Sequence, residues 1–115
     1  MKPLEKWKPQ SPRDRDIVLA CKEVILSLLP GSEIILYGSR ARGRAKPESD
    51  YDFLVLTPEP LSLESKKRLN SSLCEFELQQ DCMVSTLVRD RRLWSQPIYQ
   101  AIPLRKRVQR DGVIL

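Results

Sequence analysis

Histidine is absent from this 115-residue sequence, and its absence excludes several kinds of active site. A Ser/His/Asp triad, a Cys/His pair and a His-ligated zinc ion all require an imidazole. Cysteine is scarce as well. Cys21, Cys74 and Cys82 are an odd number without a C-x-x-C pair, which indicates neither a disulfide framework nor a thiolate metal site. We expect all three to be buried as small hydrophobic residues in a reducing compartment. Any chemistry must then use carboxylates, hydroxyls, Lys or Arg.

Long apolar segments are missing too. No run approaches the roughly 20 residues that span a bilayer, and residues 1–10 lack the apolar stretch of a signal peptide. We therefore expect a cytoplasmic protein with no membrane segment. The chain length and 41% hydrophobic content predict a single domain at residues 11–115. Residues 1–10 hold two prolines and three lysines without an apolar period, which predicts a flexible N-terminal arm.

The net charge of +5 is unevenly distributed. Residues 1–87 contain 13 basic and 13 acidic side chains, whereas residues 88–115 contain 7 basic and 2 acidic ones. The basic cluster near the C-terminus is expected first to be a solvated helix face and second an interaction surface; it comprises Arg105, Lys106, Arg107 and Arg110. Because the excess is confined to this segment, an acidic protein surface is favoured as a partner over nucleic acid.

Helical and strand patterns alternate along the chain. Helical periodicity follows the capping residue Ser11 and follows Ser62 to about residue 78, and a helical region interrupted at Pro103 ends near Gly112. Strands are predicted at residues 33–37, 51–56 and 82–88. This order predicts an α/β domain with a small mixed sheet covered by helices.

Two aspartates at the start of the second strand are candidate metal ligands. Asp50 and Asp52 are two residues apart, so the strand pleat directs both carboxylates to one face, which continues as Leu54 and Leu56. Two negative charges beside an apolar face are costly unless they are compensated. A divalent cation would compensate them, since Mg²⁺ commonly takes one or two carboxylates together with substrate phosphates. Solvation, or ion pairs with nearby arginines, is the alternative.

A glycine and a serine end the preceding strand. Gly38 permits close approach of the backbone to a phosphate, and the Ser39 hydroxyl or the following N–H groups can bind phosphate oxygens. A basic stretch follows immediately and could neutralise a triphosphate, with cations at Arg40, Arg42, Arg44 and Lys46.

The spacing of these residues forms the pattern G-S-x10-D-x-D. It resembles the minimal nucleotidyltransferases of the DNA polymerase β superfamily, closely over residues 34–56 and by element order elsewhere. The resemblance implies the polymerase β-like nucleotidyltransferase fold. It also implies nucleotide binding at Gly38, Ser39 and Arg40, and two Mg²⁺ ions coordinated by the catalytic Asp50 and Asp52. The ions would polarise the α-phosphate of ATP while an acceptor oxygen attacks and pyrophosphate leaves.

The resemblance implies a third carboxylate on the next strand, and here the sequence is ambiguous. Asp81 precedes the predicted strand at residues 82–88, but alignment on the turn places Ser85 at that position and Asp81 within the turn. Glu75 and Glu77 are further candidates, although both lie near a predicted helix end. Without a third carboxylate, turnover would be weak or absent.

From its size we expect this chain to have no additional domain that holds an acceptor. Such proteins resemble MntA-type antitoxins, which are paired with a HEPN-domain toxin and modify it on tyrosine. This resemblance implies transfer of AMP from ATP to a hydroxyl of a HEPN-type partner protein. The alternative is a catalytically weak or inactive binding module that inhibits its partner by contact.

Overall fold

Five strands form one mixed sheet in the computed structural model, which describes residues 1–115. Their spatial order is β1-β5-β2-β3-β4. The pairs β1/β5 and β3/β4 are parallel, whereas β2 is antiparallel to both of its neighbours. The predicted small mixed sheet covered by helices is therefore confirmed. The strand bounds are β1 Lys2–Pro3, β2 Glu33–Tyr37, β3 Tyr51–Thr57, β4 Val84–Asp90 and β5 Val113–Ile114.

Six α-helices and one 3-10 turn at Leu4–Lys6 accompany the sheet. Ser11 and Ser62 cap the two long helices as predicted, each hydroxyl accepting a backbone N–H three residues on at 3.1 Å. No helix has the length and apolarity needed to cross a membrane. The helix bounds are α1 Pro12–Leu28, α2 Gly38–Arg42, α3 Leu63–Gln80, α4 Arg91–Trp94, α5 Pro97–Gln100 and α6 Pro103–Asp111.

The two faces of the sheet have separate apolar clusters. Phe53 and Val55 of β3 pack beneath α1 and α3, on what we call the opposite face. Leu54 and Leu56 pack with Trp94 and Val108 from the short C-terminal helices, on what we call the site face. Because side chains alternate along β3, Asp52 shares the site face with Leu54. On the site face, β3 therefore carries the Asp52 carboxylate near its start and the apolar residues Leu54 and Leu56 further along.

The N-terminal segment differs from the predicted flexible arm. Lys2–Pro3 pairs with Val113–Ile114, and the Trp7 ring is only 4% exposed within the cluster on the opposite face. The Gln10 side chain accepts the Ala45 N–H and donates to the Ala45 carbonyl, both at 2.9 Å. A single tryptophan in a polar segment is invisible to periodicity, yet its buried area holds the segment in place.

The turn between α3 and β4 also corrects the sequence expectation. Asp81 adopts a left-handed conformation (φ +52°) that ends α3, and the Cys82 N–H donates back to the Glu77 carbonyl at 3.3 Å. The strand therefore begins at Val84 rather than at Cys82. Cys74 is exposed on α3 and Cys82 is only partly buried, so the expectation of three buried cysteines is wrong for these two. Cys21 is buried as expected, and burial raises the pKa of its thiol to about 12.

Candidate functional site

The closest approach in the candidate site joins Gly38 to Asp52. Gly38 has a φ of +78°, and a Cβ atom added to it would lie 2.6 Å from Asp52 Oδ2. Glycine is therefore required here both for the backbone conformation and for the space that the carboxylate occupies. Gly38 also begins α2, with Ser39 next to it, so the unpaired N–H groups of the first turn start beside the carboxylate. The strand pairing thus brings Gly38, Ser39 and Asp52 together.

Three neighbouring strands contribute one residue each to a row across the site face. Asp52 is in register with Tyr37 on β2 and with Ser85 on β4. Partners in register project to the same face of a sheet, so the row reads Tyr37, Asp52, Ser85. Asp50 precedes β3 by one residue and is exposed. By the strand alternation, its carboxylate belongs to the same face as Asp52.

The surroundings of Asp52 disfavour the ionised form of its carboxyl group. Burial raises the pKa of its carboxyl group above the usual value, and the nearby charge of Asp50 raises it further, while Arg42 lowers it. The pKa of Tyr37 is also raised, first by burial and then by the charge of Asp52, while Arg107 lowers it. The negative charge of Asp50 disfavours the ionised form of Asp52, so a cation bound to the two carboxylates would stabilise that form.

The donor set fits Mg²⁺. Carboxylate oxygens are the hard ligands that this ion prefers, and one or two of them suffice when substrate phosphates complete the coordination shell. Asp50 and Asp52 are the residues that would hold it. No group of three or more acidic or sulfur side chains in the chain is arranged to bind a metal.

Ser85, not Asp81, lies beside Asp52. The β3–β4 register places Ser85 directly opposite Asp52, whereas Asp81 caps α3 and lines a cavity on the opposite face. Glu77 has a structural role, because its carboxylate accepts the Val84 N–H at 2.8 Å. Glu75 is exposed on α3, where its carboxylate accepts from Gln79 at 3.3 Å. None of these acidic residues completes the site.

The Arg40 side chain does not join the site either. Its guanidinium pairs with Asp14 at 3.1 Å and lies 4.4 Å from the centre of the Tyr51 ring, both on the opposite face. It also donates to the carbonyls of Pro47 and Ser49, at 3.1 and 2.9 Å. The guanidinium donors hold the loop that leads into Asp50, so the nucleotide binding predicted at Arg40 is left to its backbone. Only its backbone remains near Gly38 and Ser39.

Three arginines group on the site side, a grouping that the sequence did not predict. Arg42, at the end of α2, pairs with Asp111 of α6 at 3.1 Å. Arg110 donates to the same carboxylate and, as the largest cause, holds the pKa of Asp111 below its usual value. Arg107 lies on α6 close enough to lower the pKa of Tyr37. Arg107 and Arg110 lie far from the motif in sequence, and the packing of α6 against α2 and β2 brings them to the side of Arg42.

A large cavity is separate from this site. It has a volume of about 1000 Å³ and lies on the opposite face, between the start of α1 and the end of α3. Its lining includes Asp14, Arg40 and Tyr51, which form the hydrogen-bonded group behind Asp50. The candidate site lies instead on the site face, where β2 ends and β3 begins.

Residues 18–107 match the family described as nucleotidyltransferase domain. That match includes Gly38, Ser39, Asp50 and Asp52 and covers well over half of the chain, so the chain belongs to the nucleotidyltransferase family.

Three proteins illustrate the relationship. The chain is 33% identical over 57 residues to "Probable protein adenylyltransferase MntA" of Haemophilus influenzae; the match covers 50% of this chain and 50% of that relative. A toxin–antitoxin structure with AMP-PNP has a TM-score of 0.58 at 21% identity, over 86% of this chain and 69% of that one. A mutant toxin–antitoxin MntA–HpeT has a TM-score of 0.52 at 25% identity, over 82% and 70%. These likenesses confirm the nucleotidyltransferase fold.

Proposed function

We propose that this chain transfers AMP from ATP to a hydroxyl group of a partner protein, in the manner of an antitoxin that modifies its toxin. The observation that supports this most directly is the contact between Gly38 and Asp52, because it places a carboxylate beside the N–H groups of a helix start. Nucleotide phosphates bound at Gly38 and Ser39 would then lie next to a metal held by Asp50 and Asp52. The adenylyltransferase name of the Haemophilus relative supports AMP as the transferred group.

In this proposal the acceptor oxygen attacks the α-phosphorus of ATP, the bond to the bridging oxygen breaks, and pyrophosphate leaves. Mg²⁺, when bound, would neutralise charge on the phosphates and favour the deprotonated acceptor. The chain itself orients the nucleotide through Gly38 and Ser39 and places the two aspartates. Because Ser85 occupies the row where a further carboxylate would help deprotonate the acceptor, we expect slow turnover.

The partner is proposed to be a HEPN-type toxin. Support comes from the toxin–antitoxin assemblies among the structural neighbours, one of them at 25% identity. The basic residues of α6 suit a protein acceptor with an acidic surface. A small all-helical protein with an R-x4–6-H motif in the adjacent open reading frame is the partner to test.

The test uses the chain, Mg²⁺, that partner and ATP labelled on the α-phosphate. We expect transfer of label to the partner, and no transfer from ATP labelled on the γ-phosphate. Asp50→Asn and Asp52→Asn should each abolish transfer. Asp81→Asn is the matched control, since it removes an exposed carboxylate on the opposite face and asparagine tolerates the left-handed conformation. Absence of label, or transfer that ignores both aspartates, would refute the proposal.

A binding module is the second candidate function, and the absence of a third carboxylate near Asp52 favours it. Such a chain would inhibit its partner stoichiometrically by contact. The Asp50→Asn and Asp52→Asn variants distinguish the two functions, because inhibition by contact would persist in both. Inhibition that requires both aspartates and ATP would exclude this alternative.

A further inference from the structure

The cations of α6 are not equivalent. Arg110 is held by Asp111 at 2.9 Å, and Arg105 lies over the Trp94 ring at 5.1 Å while donating to the Trp94 carbonyl. The chain contains four ion pairs, and none of them includes Arg107. Lys106 and Arg107 are both exposed. Arg107 is therefore a cation without an intramolecular counterion.

The geometry of α6 directs Arg107 toward the site rather than away from it. Residues three and four apart lie on one side of a helix, so Arg107 is flanked by Leu104 and Asp111. Leu104 packs against the apolar cluster of the site face, and Asp111 reaches Arg42 of α2 at 3.1 Å. Lys106 lies about 100° further round the helix from Arg107. Of the two free cations, only Arg107 is on the side that borders α2 and β2.

Helix α6 packs against α2, which begins at Gly38, and against β2, which ends at Tyr37 in register with Asp52. A nucleoside triphosphate and two carboxylates bring more negative charge to the site than two divalent cations cancel. Arg42 is already paired with Asp111. Arg107, which has no counterion of its own, can balance part of the remaining negative charge.

From this arrangement we infer that Arg107 binds the β- and γ-phosphates of the nucleoside triphosphate, the part that leaves as pyrophosphate. The inference rests on the proposed function, since it assumes that the triphosphate lies beside Gly38 and Asp52. It assigns α6 a direct role in substrate binding, in addition to covering the sheet. An arginine suits this role because its planar fork binds phosphate oxygens in pairs.

The test measures dissociation constants for a non-hydrolysable ATP analogue and for AMP, with Mg²⁺ at low ionic strength. Arg107→Gln should weaken binding of the ATP analogue about tenfold, as expected for loss of a charge-assisted hydrogen bond, and leave AMP binding unchanged. Arg107→Lys should restore part of the loss. Lys106→Gln, which removes the same charge one residue away, should change neither constant. Unfolding midpoints of all variants should match the wild type.

Two outcomes would overturn this inference while the proposed function stands. One is equal affinity of the wild type and Arg107→Gln for the ATP analogue. The other is a loss shared by Lys106→Gln, or a loss that falls equally on AMP, because neither would be specific to the terminal phosphates. If the wild type binds no ATP analogue in the presence of Mg²⁺, both the inference and the proposed function fail.

Discussion

Gly38 and Asp52 define the candidate site at the level of single residues. The glycine is needed for its positive φ, and the aspartate fills the space where a side chain would be. Both residues were predicted as site residues from the motif, but the motif did not show that they touch. Contact between them follows from the antiparallel pairing of β2 with β3.

Replacement of Gly38 by alanine should impair the site more than the fold. We expect a loss of about 1–2 kcal/mol in the free energy of unfolding, from the left-handed backbone, and displacement of the Asp52 carboxylate. Gly43→Ala is the matched control. Its φ of +72° is similar, yet the nearest atom to an added Cβ is the Lys8 carbonyl oxygen at 3.5 Å. Urea unfolding and AMP transfer should show similar destabilisation in both variants and lost activity only in Gly38→Ala.

Ionisation of Asp52 should destabilise the metal-free protein. Because burial raises its pKa in the folded state, Asp52 favours folding below its usual pKa of 3.8, and this contribution is lost as the pH rises through the higher folded-state value. Asp52→Asn should therefore unfold at a higher temperature than the wild type at pH 7 without metal. The difference should diminish below about pH 4.

Added Mg²⁺ should make the wild type more stable than Asp52→Asn, because the ion stabilises the wild type and leaves the variant unchanged. Thermal unfolding across pH, with and without Mg²⁺, measures both effects. A wild type that is more stable than Asp52→Asn at pH 7 in the absence of metal would contradict the electrostatic account.

At the level of elements, the loop from α2 to β3 is held from behind the sheet. Arg40 donates to the carbonyls of Pro47 and Ser49, and Asp14 of α1 accepts from both Arg40 and the Tyr51 hydroxyl. The Tyr51 bond is 2.7 Å long, and burial together with this bond raises the pKa of the phenol. One helix thus fixes the segment that ends at Asp50. The connection from β2 to β3 consists only of the short helix α2 and this loop, and these hydrogen bonds hold the loop in place.

Removal of the Asp14 carboxylate should loosen that loop. In Asp14→Asn the Arg40 charge stays buried without a counterion, and we expect a loss of roughly 3–5 kcal/mol in the free energy of unfolding. Hydrogen exchange of residues 43–49 should accelerate more than that of α3. Arg92→Gln is the control, because its ion pair with Asp90 is 4.0 Å long, the Arg92 side chain is exposed, and the pair should contribute less than about 1 kcal/mol. Unchanged exchange in residues 43–49 would refute the anchoring role.

Over the whole molecule, the two chain ends complete the sheet. β1 pairs with β5, and β5 pairs with β2 beside the site. Trp7 joins the cluster on the opposite face, while α6 reaches over the site face. The ends of the chain are thereby coupled to the strand that precedes Gly38.

Substitution of Trp7 should test the docking of the N-terminal segment. Trp7→Ala removes a ring that is only 4% exposed, and we expect a loss of about 3–5 kcal/mol in the free energy of unfolding. Leu63→Ala removes an apolar side chain that is 68% exposed and should change this free energy by less than about 0.5 kcal/mol. Urea unfolding of both variants is the measurement. Equal stability of Trp7→Ala and the wild type would restore the interpretation of residues 1–10 as a flexible arm.

Local patterns were sufficient for the long elements and for the chemical character of the site. The capping serines, the apolar periods and the alternation of β3 are properties of neighbouring residues, so the sequence predicts them directly. The same holds for the presence of Gly38, Ser39, Asp50 and Asp52 at two strand ends. The absence of histidine had already restricted the chemistry to groups of this kind.

Partners distant in sequence were decided by the tertiary structure. Strand register placed Ser85 beside Asp52, the buried ion pair directed Arg40 toward Asp14, and helix packing brought α6, with Arg107, against α2 and β2. No local pattern shows that Arg40 anchors a loop, because it is one of several basic residues in the same polar stretch. Which face each residue occupies depends on contacts 26 to 69 positions apart, such as Arg40 with Asp14 and Arg42 with Asp111, and these exist only after the chain has folded.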